Sequence, residues 1–142
     1  MSENALKARS AALCEERNTG LVSPDIPLLS NLSVYDNIAL VSRYLTDEKD
    51  KEIRNVILKQ LDLLDIRGLK FEKPFLLDSK TVFKVKLLRA LRVKESLTII
   101  DRPFVMLNNI ADITPVTKML KTLGEYIGEV VFFDFEWNKS KY

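Results

Sequence analysis

The stretch Leu77–Asn108, LDSKTVFKVKLLRALRVKESLTIIDRPFVMLN, decides the fold. Asp78 is placed to cap a helix, since its side-chain oxygen can accept from the first free backbone N–H groups. Val82, Val85, Leu88 and Leu91 or Arg92 recur at helical spacing and predict one apolar stripe. Lys80, Lys84, Lys86, Arg89, Arg92 and Lys94 fall mostly off that stripe and are expected on a solvated face. Leu97–Ile100, LTII, is a β-rich run without polar alternation. Such runs suit strands buried on both faces of a parallel sheet. Asp101 stands at the C-terminal end of that run, where α/β folds place ligands. Pro103 stops the strand and predicts a tight turn.

Composition narrows the chemistry. The chain has 142 residues, enough for one domain with a real core. Its 46% apolar and 30% charged content is that of an ordinary soluble protein. A net charge of +2 gives no case for nucleic acid by itself. Cys14 is the one cysteine, so an internal disulfide and a multi-cysteine metal site are both excluded. There is no histidine, which removes the commonest general base and the Ser-His and Cys-His nucleophilic sites. No run reaches membrane-spanning length, and MSENALKARS lacks a signal-peptide core.

The remaining segments read as follows. Ser2 to about Arg17 predicts a helix rich in Ala, Leu, Lys and Glu, with Cys14 as a small structural residue. Asn18-Thr19-Gly20 predicts a turn and Gly20–Ser23 a short strand. Ser23–Asn31 holds two prolines and predicts a loop. Ser33 opens a capping-box start, and the helix it begins runs to Tyr44 or Leu45. Thr46-Asp47 then caps a helix from Glu48 to about Leu64, with a stripe at Ile53, Val56 or Ile57, Gln60 or Leu61, and Leu64. Gly68 is expected to end or follow it. Thr114-Pro115 predicts an N-cap and N1 pair for a helix with Val116, Met119, Leu120 and Leu123 on one face. Met106 and Met119 are expected as core fillers. Val130–Phe133, VVFF, predicts a final buried strand, and the tail NKSKY is expected to fray.

In order and spacing, these segments resemble the second half of an ABC-transporter ATPase from about Gly20 onward. In that family a signature loop, LSGGQ, opens a helix ending in ARAL; a strand ending in DEP and a loop of the form SALD follow. Leu87–Leu91, LLRAL, resembles ARAL, and Asp101–Pro103, DRP, resembles the Walker B end without a gap between them. Counting back puts Leu77, Asp78, Ser79, Lys80 and Thr81 on the signature loop; counting forward puts Asn108 at the aspartate of SALD. VSPDIPLLSNLSV (Val22–Val34) resembles VFQDPALLPNLTV, with Pro24 at the Q-loop glutamine. SVYDNIAL (Ser33–Leu40) resembles TVYENIAL, most like the ATPases of bacterial lipid-trafficking systems. Asp134–Glu136 stand where Thr-His-Asp is usual, so Phe135 takes the switch-histidine position.

The resemblance implies an α/β fold: a small, mostly parallel sheet of about three strands, a trimmed P-loop NTPase-like core, with an α-helical subdomain. Residues 1–142 form one domain. Residues 33–66 correspond to the helical subdomain, and 77–136 to the signature helix, Walker B-like strand and final strand. The Q-loop, Walker B and switch strands lie side by side. The family's P-loop is not expected: none of Gly20, Gly68, Gly124 and Gly128 begins or completes GxxxxGK[ST], and only a short helix precedes Gly20. Val130–Phe133 is then expected as an open apolar edge, covered by the N-terminal helix or by a second chain in a homodimer.

The motif positions are degraded in step. Arg102 stands at the catalytic glutamate and cannot act as a general base. Leu77–Thr81 lacks both signature glycines. Asp101 is the one metal-binding acid retained, and a lone carboxylate is a poor Mg²⁺ site; the favoured reading is a strand-end acid capping the next turn. The chain is therefore expected to be no ATPase, with no catalytic residue, no metal ligand and no bound ATP or Mg²⁺. The expected function is a non-catalytic accessory module on an ABC permease or a full-length ABC ATPase, in the cytoplasm or peripheral to the inner membrane. Leu28, Leu29, Leu32, Val34, Tyr35 and Ile38 are its expected partner contacts. Two alternatives are an ATP-binding subunit whose P-loop comes from another chain, and a binder of nucleic acid or anionic membrane through Lys80–Lys94. Nucleic acid is disfavoured, because no aromatic residues interleave those charges. A decaying gene product without function is a further alternative, against which a well-packed, monodisperse fold would count.

Overall fold

The computed structural model describes residues 19–45, 49–93 and 97–142. The helix expected over Ser2–Arg17, with Cys14, lies outside them, as do Asn18, Thr46, Asp47 and Lys94. Among the described residues the sheet has three strands, β1 (Thr19–Val22), β2 (Leu97–Asp101) and β3 (Val130–Phe133), in the order β1-β2-β3. Both pairings are parallel, with Leu21 opposite Ile99 and Ile99 opposite Val131. The order is the one the resemblance implied. Thr19 and Gly20 sit in the strand rather than in a turn.

The helices are α1 (Val34–Leu45), α2 (Asp50–Leu63), α3 (Ser79–Ala90), α4 (Pro103–Met106) and α5 (Thr114–Leu123). Ser33 Oγ accepts from Asp36 N at 3.1 Å and starts α1. The α2 stripe is Ile53, Ile57, Gln60 and Leu61, with Leu64 just beyond, as its spacing predicted. Chain reversal after α2 falls to Asp65, which takes φ 59°, and not to Gly68. Aspartate tolerates this left-handed conformation through its short polar side chain. Asp112, rather than Thr114, caps α5: its Oδ1 accepts from Thr114 N at 2.9 Å. Among the described residues no helix is long and apolar enough to cross a membrane.

Helix α3 is the centre of the core, packed on α1 and on β1. Asp78 caps it as expected, accepting from Thr81 N at 2.8 Å. Its burial is broader than one stripe: Thr81, Phe83, Val85, Lys86, Leu87, Leu88 and Ala90 are all buried, while Val82 and Leu91 are half-buried. Gly20 shows how close β1 lies. A Cβ there would stand 2.1 Å from the Ala90 carbonyl oxygen. Strand parity then divides the sheet. Val22 and Ile100 face the helices, and Leu97, Ile99 and Phe133 form a second cluster with Leu21 and Val131. Every residue of β2 is buried, but in β3 only Phe133 is; Val130–Phe132 are half-buried.

The C-terminal tail does not fray. Glu136–Lys141 forms a 3₁₀ turn, and Ile113 N donates to Lys141 O at 2.8 Å. The Tyr142 ring packs edge-on against Phe104 and Phe132, and its hydroxyl donates to Asp134 at 2.7 Å. An aromatic end residue with a polar tip anchors itself where a charged tail would stay in solvent.

Candidate functional site

The C-terminal ends of β1 and β2 meet in a polar cluster. Extending the register two residues beyond Leu21 and Ile99 brings Ser23 beside Asp101. Ser23 Oγ donates to Asp101 Oδ2 at 2.8 Å and accepts from Asp25 N at 3.1 Å. Arg102 follows the strand with φ 48° and ψ 58°. Such a non-glycine conformation is uncommon and costs about 1–3 kcal/mol. It folds the side chain back onto its own neighbour. Arg102 Nε lies 3.0 Å from Asp101 Oδ1, and Nη2 lies 3.0 Å from Asp101 Oδ2 and also pairs with Asp25. Asp101 and Arg102 are 2% and 4% exposed. Hydrogen bonding to Asp101 holds the guanidinium pKa above its usual range, with Asp25 adding to this.

The cluster is closed from the α3 side. Lys86, 6% exposed, donates from Nζ to the Ser23 carbonyl at 3.0 Å and lies 3.9 Å from Met106 Sδ. Burial lowers its pKa, and the Arg89 charge lowers it further. Arg89 donates to the carbonyls of Pro27 and Ile26, at 3.0 and 3.1 Å. Buried Arg92 donates to Ser42 Oγ at 2.7 Å, and Lys84 to Leu64 O at 2.9 Å. The solvated basic face expected for this helix is therefore not there. Its long side chains are struts onto backbone carbonyls and, for Arg92, onto the Ser42 hydroxyl, which lets charged groups be buried at all. Lys80 is exposed.

The expected motif positions scatter over this frame. Pro24 lies in the loop between Ser23 and Asp25, and Arg102 and Asp101 are the cluster itself. Asp101 does not cap the following turn; its carboxylate is held by side chains. Phe135 lies two residues past Phe133, the register partner of Asp101, and stacks on Trp137 with ring centroids 4.2 Å apart. Leu77, Asp78, Ser79, Lys80 and Thr81 are at the far end of α3 from Ala90, about 13 Å along the axis for Thr81. Asn108 is exposed beyond α4.

Of the expected partner contacts, Leu28, Val34 and Ile38 are core residues and are corrected to that role; Leu29 is exposed, and Leu32 and Tyr35 are half-buried. For Val34, Tyr35 and Ile38, helical periodicity could not separate core from surface, since α1 is buried by both α3 and α2. Sequence reasoning also missed Asn37. Its buried amide accepts from Leu29 N and donates to the carbonyls of Leu29, Leu32 and Ser33, fixing the loop to α1. Ser23, Asp25 and Lys86 were missed as a group, because only the β1–β2 register brings them together.

Both Asp101 oxygens are thus engaged, and a guanidinium stands against them. A divalent cation placed there would meet a resident positive charge, so these side chains do not fit Mg²⁺. Among the described residues no group of three or more candidate ligands could hold a metal.

No family model matches the chain. It is 34% identical over 100 residues to a molybdate/tungstate import ATP-binding protein of Pyrococcus abyssi, covering 66% of this chain and 27% of that protein. A carnitine transport ATP-binding protein of Listeria monocytogenes is 27% identical over 135 residues, covering 94% of this chain and 32% of that one. The chain therefore spans about a quarter to a third of the length of these relatives. Among solved structures, a Clostridium perfringens component of an ABC transporter complex superposes with a TM-score of 0.63 at 22% identity, over 83% of this chain and 47% of that one. A dimeric bacterial ABC transporter cassette gives 0.63 at 21% identity, over 96% and 61%. The homologues of this chain are ATP-binding proteins of ABC transporters, and its fold is that of an ABC ATPase cassette.

Proposed function

We propose that the chain is a non-catalytic ABC-cassette module that binds a transporter component, either a permease or a full-length ATP-binding subunit. The observation that carries this reading is the Arg102 guanidinium on Asp101 and Asp25 at the strand ends. By the resemblance, Arg102 replaces the catalytic glutamate; a guanidinium neither takes a proton nor orients water as a base. It also neutralises the one acid retained for a metal. Pro24 and Phe135, at the Q-loop and switch positions, carry no polar side-chain atom that could reach a phosphate. These substitutions lie in separate segments, and a P-loop supplied by another chain would repair none of them. The engagement of Lys84, Lys86, Arg89 and Arg92 by internal acceptors speaks against a nucleic-acid or membrane surface on α3. Its place is then the cytoplasmic side of the inner membrane, through its partner.

Calorimetric titration of the full chain with Mg-ATP is expected to give no binding heat. Pull-down of the tagged chain from solubilised membranes, with and without Mg-ATP, is expected to recover a permease or an ATP-binding subunit in both conditions. Mg-dependent ATP binding or hydrolysis that Asp101→Asn abolishes would overturn the non-catalytic reading. Recovery of neither component would overturn the partner reading.

A further inference from the structure

We infer that the pocket between α1, α2 and the Lys70–Phe71 segment receives an acidic peptide segment of a partner protein, one large apolar side chain entering and carboxylates meeting Arg43, Arg54 and Lys70. This rests on the partner-binding part of the proposed function and names the partner's chemistry. The pocket measures about 290 Å³ and has Tyr35, Ile53, Leu58 and Phe71 as its apolar lining. That is the small end of the range for ligand pockets, suited to one side chain. Around it stand three cations, Arg43, Arg54 and Lys70, against one acid, Asp50. Arg43 is bridged to Asp36 at 3.4 Å across an exposed surface, a pair worth little. Among the described residues, Arg54 and Lys70 form no ion pair.

Of the apolar lining, Phe71 is turned outward, while Ile53 is buried and Tyr35 and Leu58 are half-buried. Phe71 is 76% exposed, with Lys70 Nζ 5.1 Å from its ring centroid. Phe75 and Leu76, 75% and 63% exposed, follow on the same short segment. The backbone beneath is held: Tyr35 N donates to Lys70 O and Val34 N to Glu72 O, both at 2.9 Å. A preformed apolar cleft with excess positive charge at its rim selects a partner of opposite charge. Exposed aromatics on a held backbone are the usual anchors of such contacts.

The test is selection of short random peptides displayed on phage against the full chain, followed by anisotropy titration of the enriched peptides. The enriched sequences are expected to carry Phe, Trp or Leu with Asp or Glu within one helical turn. Their affinity is expected to fall about tenfold in the double variant Arg54→Glu/Lys70→Glu, and again in Phe71→Ser. Arg54 and Phe71 are exposed and Lys70 is half-buried, and unchanged thermal melting confirms that the variants fold. No enrichment, enrichment without acidic bias, or equal binding to the charge-reversed chain overturns the inference. Expected peptide behaviour without recovery of any transporter component would keep the pocket's chemistry and sink the transporter reading. Recovery of that component by the charge-reversed chain would do the opposite.

Discussion

At the ends of β1 and β2, Arg102 and Lys86 are buried and spent on Asp101, Asp25 and the Ser23 carbonyl. On the face of α1 and α2, the cations beside Tyr35 and Phe71 look outward around an open pocket. One region has closed on itself; the other is left for something else. A buried cation needs its acceptors within the fold, whereas a surface cation needs none until a partner arrives. The difference locates what the chain keeps. Its strand-end polar groups hold the sheet to α3, and its recognition chemistry lies on the helical pair.

The largest effect is expected where the closed cluster is broken. Arg102→Ala leaves Asp101 buried without its cation and should cost about 3–5 kcal/mol, read from urea unfolding. Adding Asp101→Asn should recover part of that loss; no recovery would mean that the pair does not hold the strand ends. Next comes the seam between β1 and α3. Gly20→Ala drives a methyl into the Ala90 carbonyl and should destabilise by about 2–3 kcal/mol. Wild-type stability in this variant would show that β1 and α3 can separate freely.

The helical pair offers a smaller effect of opposite sign. Gln60 is buried on α2, and among the described residues its Oε1 has no hydrogen-bond partner. Gln60→Met removes this cost and should stabilise by about 1 kcal/mol. Destabilisation would mean that the amide holds a water or a partner group. The smallest effect concerns the tail. Burial and the bond to Asp134 push the Tyr142 phenol pKa up from 10.0. The unfolded chain then releases this proton before the folded one does. Stability from this group is complete below pH 10 and falls as pH rises above it. Urea midpoints measured above pH 10 should fall less steeply in Tyr142→Phe; an equal slope would place the phenol in solvent.

Much of the fold was legible from local signals. Asp78 and Ser33 cap helices because capping is settled within a few residues, and LTII is buried because its composition allows no solvated face. The position of Arg102 next to Asp101 was also visible, and with it the loss of the glutamate expected there by resemblance. The errors on α1 and α3 share one cause. Lys86, Arg89 and Arg92 were expected in solvent, and Val34 and Ile38 at a partner surface. Helical periodicity describes one interface, and both α1 and α3 have more than one. The tail was read from its lysines, while Tyr142 and Asn138 decided its packing.

By itself the sequence determined the capped helices, the buried β2 strand, the parallel order implied by resemblance, and which side chains stand at the motif positions. These follow from short-range chemistry and from spacing along the chain. The tertiary structure alone decided that Ser23 meets Asp101, that Asp25 shares the Arg102 guanidinium, that Lys86 reaches across to the β1 loop, and that Tyr35, Arg54 and Phe71 line one pocket. Such contacts join residues dozens of positions apart. They depend on strand register and on which helix face meets which neighbour, and no local pattern encodes either.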